Sequence, residues 1–375
     1  MNIKRHASVL GFIAAGALAL TACGSDNNTA TTGGDRTGAA GNVSAEVECG
    51  GKADLTGEGS SAQKGAVDVF IQAFGTKCSS NKFSYTASGS GNGVKNFNGG
   101  QVDIGGTDSP LSKDKGEVDA AATRCQGNPA WNLPLVFGPV TVAYKLDGVQ
   151  SLTVTPELAA KMFNGTVKTW DDPAVAAVNP GVGLPSKPIT VIYRGDESGT
   201  TDNFQKYLNA AAKAAWGKDA GKKFNGGVGE GKQGSAGVAE AVSATDGAVT
   251  YVEWSYAQDK KLGIAKLDSG AGAVELTSES AGKAVNGAKV KGSGNDLVLD
   301  LDALYASKEA GAYPLLLATY EVVCSKGYDA DTAKAVKAFL TVAATDAQSG
   351  LQDAGYVPLP SEFQTKLLDA IKAIS

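Results

Sequence analysis

Between Arg194 and Thr201 the chain reads RGDESGTT, which places one guanidinium, two carboxylates and three small hydroxyl residues around Gly199. The stretch follows an apolar run, PITVIY, and precedes the helix-like DNFQKYLNAAAKAAW. A planar guanidinium offers paired N–H groups to a tetrahedral oxyanion. Ser198, Gly199 and Thr200 then supply hydroxyl and backbone N–H donors where a helix begins, and Gly199 adds no bulk. Asp196 is suited to orienting the guanidinium, and Glu197 to facing solvent. Such a set can grip a small anion.

Other chemistries are narrowed by what the sequence omits. Its single histidine is His6, inside a segment expected to be removed. A Ser-His-Asp triad, a Cys-His pair and His-ligated zinc therefore have no imidazole to use. No CxxC spacing or clustered carboxylates mark a metal site, and no P-loop is present. GEGKQG, Gly229 to Gly234, matches GxGxxG but follows KKFNGGV rather than a strand. It reads as a loop entering the helix SAGVAEAVSAT.

The elements that would hold anion donors recur. A strand-like run ends in Gly, Ser and Thr and leads into a helical pattern in ADLTGEGSSAQKGAVDVFIQAF, FSYTASGSGNGVKNF, VDIGGTDSPLS and ITVIYRGDESGTTDNFQKYL. In the first, Ala66, Val67, Val69, Phe70, Ala73 and Phe74 form an apolar helix face. Alternating strands and helices predict an α/β fold with mainly parallel sheets, in which ligands gather at strand ends. Singly, each cluster reads as a helix cap and tight turn; together they offer a set of donors. Trp131–Lys145 and Ala312–Val323 are apolar enough to cross between two lobes. The helical periods of DTAKAVKAFLTVAA and SEFQTKLLDAIKAI would return the chain to the first lobe.

Length and composition suit two domains: 375 residues, 42% hydrophobic and 19% charged. The first residues fit export. Lys4, Arg5 and His6 precede the apolar ASVLGFIAAGALAL, which is short for a bilayer span, and LTAC follows. This tetrapeptide resembles a bacterial lipobox with Cys23 as the lipidated residue. Asp26 to Asn42 lack large apolar residues and read as a flexible stalk. Cys49, Cys78, Cys125 and Cys324 remain, an even number that favours two disulfides with three pairings open. The chain carries 34 basic and 39 acidic residues; without Lys4 and Arg5 this is 32 against 39, or −7. Nucleic acid is a poor partner for that charge.

The stretches LTGEGSSAQ, SGSGNGVKNF, DIGGTDSP, RGDESGTT and GAVTYVEWSYA together resemble the substrate-binding lipoprotein of bacterial high-affinity phosphate ABC transporters. They follow the family's order from Leu55 to Ala257, and the returning YPLLLATYEVV is also similar. The resemblance implies a two-lobed periplasmic-binding-protein fold of class II type, with two crossing segments. It also implies inorganic phosphate in the cleft, transfer to permease subunits, a lipid anchor as the only membrane attachment, no reaction and no cofactor. The family's first-loop hydroxyl and following N–H fall on Ser61 and Ala62, with Ser60 just before, where Thr-Phe is common. Its second-loop serine falls on Ser90 and its acidic ligand on Asp108. Its Arg-Ser-Gly-Thr set falls on Arg194, Ser198, Gly199 and Thr200, and its arginine-orienting acid on Asp196. The expected division is 1–23 leader and lipobox, 24–47 linker, 48–137 first lobe, 138–315 second lobe and 316–375 first lobe again.

A carboxylate such as Asp108 beside a dianion is repulsive unless the ligand has a proton to donate. Hydrogen phosphate has one, whereas sulfate at neutral pH has none, so a fixed acceptor selects between them. The competing role for Asp108 is to cap a helix over SPLSKDKGEVD, with Pro110 near its first turn. The reading is a phosphate receptor. Its rivals are a receptor for sulfate or molybdate, a phosphate-ester hydrolase using Ser or carboxylates, and a surface adhesin.

Overall fold

The computed structural model describes residues 43–375, so the expected leader, Cys23 and most of the expected linker lie outside the described residues. Packing begins before the expected linker boundary at residue 47. Val43, Ala45 and Val47 are half-buried against the core. The Cys49–Cys78 disulfide then ties this segment to the end of helix Lys64–Lys77.

A nine-stranded sheet organises the chain. Its order is Lys82–Thr86, Asp54–Gly59, Ile104–Thr107, Leu316–Cys324, Ala130–Lys145, Ala248–Glu253, Thr190–Arg194 and Glu230–Lys232, with Gly263–Ile264 added beside the long strand. The long strand changes partner along its length. Ala130–Pro139 pairs with Leu316–Cys324, and Val140–Lys145 with Ala248–Glu253. Two half-sheets result, each with its own helices; the chain crosses between them along the long strand and again on entering Leu316–Cys324, and these are the two lobes.

Parallel pairing is confined to the outer strands of each half. The central strands pair antiparallel, contrary to the expectation of mainly parallel sheets. Two of these pairings come from Leu316–Cys324, which returns from the second lobe and runs against both neighbours; the third sets Val140–Lys145 against Ala248–Glu253. All nine residues of Leu316–Cys324 are buried, which suits a continuous apolar run flanked by strands on both sides.

In helix Lys64–Lys77, Ala66, Val67, Phe70 and Phe74 are buried, while Val69 and Ala73 are half-buried. Helix Ala330–Ala344 lays Phe339 against Phe74 and Phe83, with ring centroids 5.5 and 4.0 Å apart. In the other half, Phe204 stacks on Tyr251 at 4.5 Å, with Phe163 and Phe224 around them. The second disulfide, Cys125–Cys324, joins the end of helix Glu117–Arg124 to the end of the returning strand.

Two local expectations are corrected. GEGKQG is not a loop throughout: Glu230–Lys232 is an edge strand parallel to Thr190–Arg194, and helix Gly234–Ser243 follows at once. The segment after Asp108 forms no helix until Glu117. Its backbone donors go to side chains instead: Ser109 N to Thr107 Oγ1, Leu111 N to Asn132 Oδ1 and Ser112 N to Glu117 Oε2. Asp108 therefore caps no helix.

Candidate functional site

Four strand ends meet where the lobes face one another. Ser60, Ser61 and Ala62 follow strand Asp54–Gly59, Ser90 opens helix Ser90–Asn98, and Asp108 follows Ile104–Thr107. From the other lobe, Arg194 ends strand Thr190–Arg194, and Ser198 caps helix Gly199–Trp216 by accepting from Thr201 N at 3.2 Å. All of the predicted ligands are buried.

Arg194 is pinned by protein groups. Its Nε donates to Asp196 Oδ1 at 2.8 Å and its Nη2 to Asp196 Oδ2 at 2.5 Å. Asp196 also accepts from Gly234 N at 3.1 Å. Burial alone would disfavour the guanidinium's charge, but Asp196 more than compensates and keeps it ionised. Burial opposes the Asp196 charge too, yet Arg194 holds that carboxyl below its ordinary range. The free side of the fork, Nη1, reaches Ser235 Oγ at 3.0 Å and Thr200 Oγ1 at 3.4 Å.

Asp108 is held from three directions. Ser60 Oγ and Thr319 Oγ1 donate to Oδ1 at 2.6 and 2.7 Å, and Ser90 Oγ donates to Oδ2 at 3.1 Å. Burial still dominates, and with nearby Glu253 it raises the carboxyl to about 6 against the pull of those hydroxyls. Asp108 thus lies near neutrality, where an acceptor can share a proton with its ligand.

The lobes touch through the same residues. Gly199 N donates to Ser90 Oγ at 3.1 Å, Ser235 N to Ser61 Oγ at 3.1 Å, and Gly91 N to Glu197 O at 2.9 Å. A Cβ at Gly199 would lie 2.5 Å from Asp108 Cβ and 2.7 Å from Ser90 Oγ, so glycine is what permits the approach. Gly89, at φ 103°, likewise passes where a Cβ would meet Asp196 Oδ2 at 2.4 Å. Beyond the cluster, Lys222 Nζ pairs with Glu117 Oε1 at 3.1 Å across the lobes, Lys222 being buried. Glu197 is more than half exposed and pairs loosely with Lys223 at 3.5 Å.

Three participants escaped the sequence reading. Ser235 touches Arg194 and Ser61; its signal was GKQGSAG, a fifth glycine–serine cluster at a helix start. Thr319 is one of three polar side chains, with Tyr320 and Glu321, in a buried and otherwise apolar strand. Glu253 ends the apolar strand AVTYVE and accepts from Thr200 Oγ1, while its Oε2 is buried without a partner. Among the described residues no group of three or more His, Cys, Asp or Glu could hold a metal ion, and no helix is long and apolar enough to cross a membrane.

What the cluster can do is bind. A pinned guanidinium, hydroxyls and a helix N-terminus supply donors, and one carboxyl supplies an acceptor. Known proteins resemble the chain as a whole. Residues 28–347 match the PBP superfamily domain. The chain is 50% identical over 377 residues to phosphate-binding protein PstS 3 of Mycobacterium tuberculosis, covering 100% of both chains. It is 48% identical to phosphate-binding protein PstS 3 of Mycobacterium leprae over the same full span of 100% of each. The crystal structure of the phosphate binding protein from Stenotrophomonas maltophilia superposes with a TM-score of 0.64 at 19% identity, covering 85% of this chain and 94% of that one.

Proposed function

The chain belongs to the PBP superfamily and, within it, to the PstS phosphate-binding proteins, and on that premise we propose that it captures inorganic phosphate between its lobes and delivers it to the permease of an ABC transporter. It is a transport receptor and not an enzyme. The observation that carries the reading is the convergence of pinned Arg194, the Gly199 helix start and proton-accepting Asp108 across the lobe boundary.

The proposed ligand set is Ser61, Ala62, Ser90, Asp108, Arg194, Ser198, Gly199 and Thr200. Ser60 supports Asp108, and Asp196 supports Arg194. The protein is exported, and the proposed attachment is a lipid on Cys23. The proposed first lobe comprises 48–137 and 316–375, the second 138–315. Binding and closure are the whole mechanism, and the closed form is what the permease reads.

Asp108 favours phosphate over sulfate, because only hydrogen phosphate can donate to it. The test is calorimetry with phosphate and with sulfate on protein lacking residues 1–23. Tight phosphate binding with weak sulfate binding is expected. Equal binding of both would move the assignment to tetrahedral oxyanions in general, and turnover of a phosphate ester would make it a hydrolase.

A further inference from the structure

Two buried acceptors behind the Asp108 loop have no hydrogen-bond partner: Glu321 Oε2 and Gln63 Oε1. Glu321 is 1% exposed and stands on strand Leu316–Cys324 opposite Gly106. The Gln63 side chain lies against its carboxyl. A neighbour fixes which way the Gln63 amide points. Tyr85 gives its only hydroxyl hydrogen to Ser60 O at 2.9 Å, so its oxygen is left to accept, and Gln63 Nε2 donates to it at 3.0 Å. Oε1 is the open acceptor that remains on Gln63.

An ionised Glu321 would add another acceptor-only group to this spot. The titratable groups facing it are Asp108, on the loop after Ile104–Thr107, and Tyr85, on strand Lys82–Thr86, with Glu58 beyond. None is a cation. One proton on Glu321 fills both vacant bonds at once, since its O–H can donate to Gln63 Oε1. Burial, reinforced by Asp108 and opposed by Gln63, pushes this carboxyl up to about 8.

Resting on the phosphate reading above, we propose that Glu321 is a positioning residue, protonated at neutral pH and donating to Gln63 Oε1, and that losing this proton loosens the phosphate site. The path to the site is short. Gln63 holds Tyr85, Tyr85 holds the Ser60 carbonyl, and Ser60 Oγ donates to Asp108 at 2.6 Å while accepting from Ala62 N at 3.1 Å. Deprotonation breaks the first bond of that path and sets a second buried negative charge near Asp108.

Two measurements test this. Phosphate affinity of wild-type protein is measured from pH 7 to 9, above the range where Asp108 titrates, beside Glu321→Gln, whose amide can donate to Gln63 at every pH. Wild type is expected to lose about tenfold more affinity across that interval than the variant, because only the protonated fraction is competent. The second measurement is infrared titration of ligand-free wild-type protein and Glu321→Gln labelled with carbon-13 glutamate, which leaves Asp108 silent, and the difference between the two separates Glu321 from the buried Glu253. A protonated glutamate band at pH 7 that vanishes in the alkaline range and is missing from the variant is expected. Parallel pH profiles, or a glutamate spectrum wholly carboxylate at pH 7, overturns the proposal. Absence of phosphate binding at any pH would overturn the functional reading instead, and the infrared titration would then decide the protonation of Glu321 without it.

Discussion

At the scale of single residues, Asp108 changes character within an accessible pH range. Its carboxyl is raised to about 6 by burial, above the unfolded value of 3.8. The folded chain therefore binds this proton first as pH falls, so the group's stabilising contribution is fully present below 3.8 and is lost as pH rises through about 6. Protonated Asp108 can donate, which sulfate requires. Sulfate affinity should rise as pH is lowered through about 6 in wild type and stay level in Asp108→Asn, as calorimetry at several pH values would show. At neutral pH, Asp108→Asn should gain more affinity for sulfate than for phosphate; equal shifts would place selectivity elsewhere. Arg194→Lys keeps the charge but cannot reproduce the paired bonds to Asp196, and a loss of about 10- to 100-fold in phosphate affinity is expected. Residues in glycine–serine clusters were legible because residue type and local pattern carry their chemistry. Thr319, Glu253 and Glu321 were not, because they act across the sheet from runs that read only as buried strand. Polar residues inside otherwise apolar runs, Thr319 and Glu321 in one and Glu253 at the end of another, were the available sign.

At the scale of elements, helix Gly199–Trp216 shows how a cap becomes a contact. Its first residue has no side chain, and a methyl there would press on Asp108 and Ser90 of the other lobe. Gly199→Ala should weaken phosphate binding strongly while leaving the melting temperature of ligand-free protein nearly unchanged, which separates closure from folding. The disulfides act on the unfolded chain. Cys125–Cys324 closes a separation of 199 residues, and removing it by Cys125→Ala with Cys324→Ala should cost roughly 3–5 kcal/mol in chemical denaturation. The alternation of strand and helix was readable from the periodicity of apolar residues such as Phe70 and Phe74. Two pieces were not. The edge strand Glu230–Lys232 has three residues and no apolar pattern. The residues after Asp108 look helical, yet Asn132 and Glu117, distant or late in sequence, take their backbone donors. Ser109 Oγ is further committed to Asp202 of the other lobe at 2.6 Å.

At the scale of the molecule, groups beyond the predicted ligands also join the lobes: Ser109 Oγ donates to Asp202, Asn132 N to Asp296 Oδ1, and Lys222 Nζ to Glu117. Lys222 is buried against Glu117, so Glu117→Gln would leave an ammonium group short of its partner and disfavour the closed arrangement. A several-fold faster release of phosphate in stopped-flow measurements is expected, with release unchanged if the pair plays no part in closure. The order of the sheet has a consequence for how the protein is made. Leu316–Cys324 is the inner strand of its half, seated between Ile104–Thr107 and Ala130–Pro139, although the ribosome produces it long after both. A nascent chain ending before Leu316 has two strand edges with nothing between them, and Cys125 without its mate. Such a chain should remain sensitive to protease, and resistance should appear only when the returning strand and helix Ala330–Ala344 have emerged. For an exported polypeptide, an assembly step reserved for its last-made residues keeps the leading part pliable until synthesis is nearly complete.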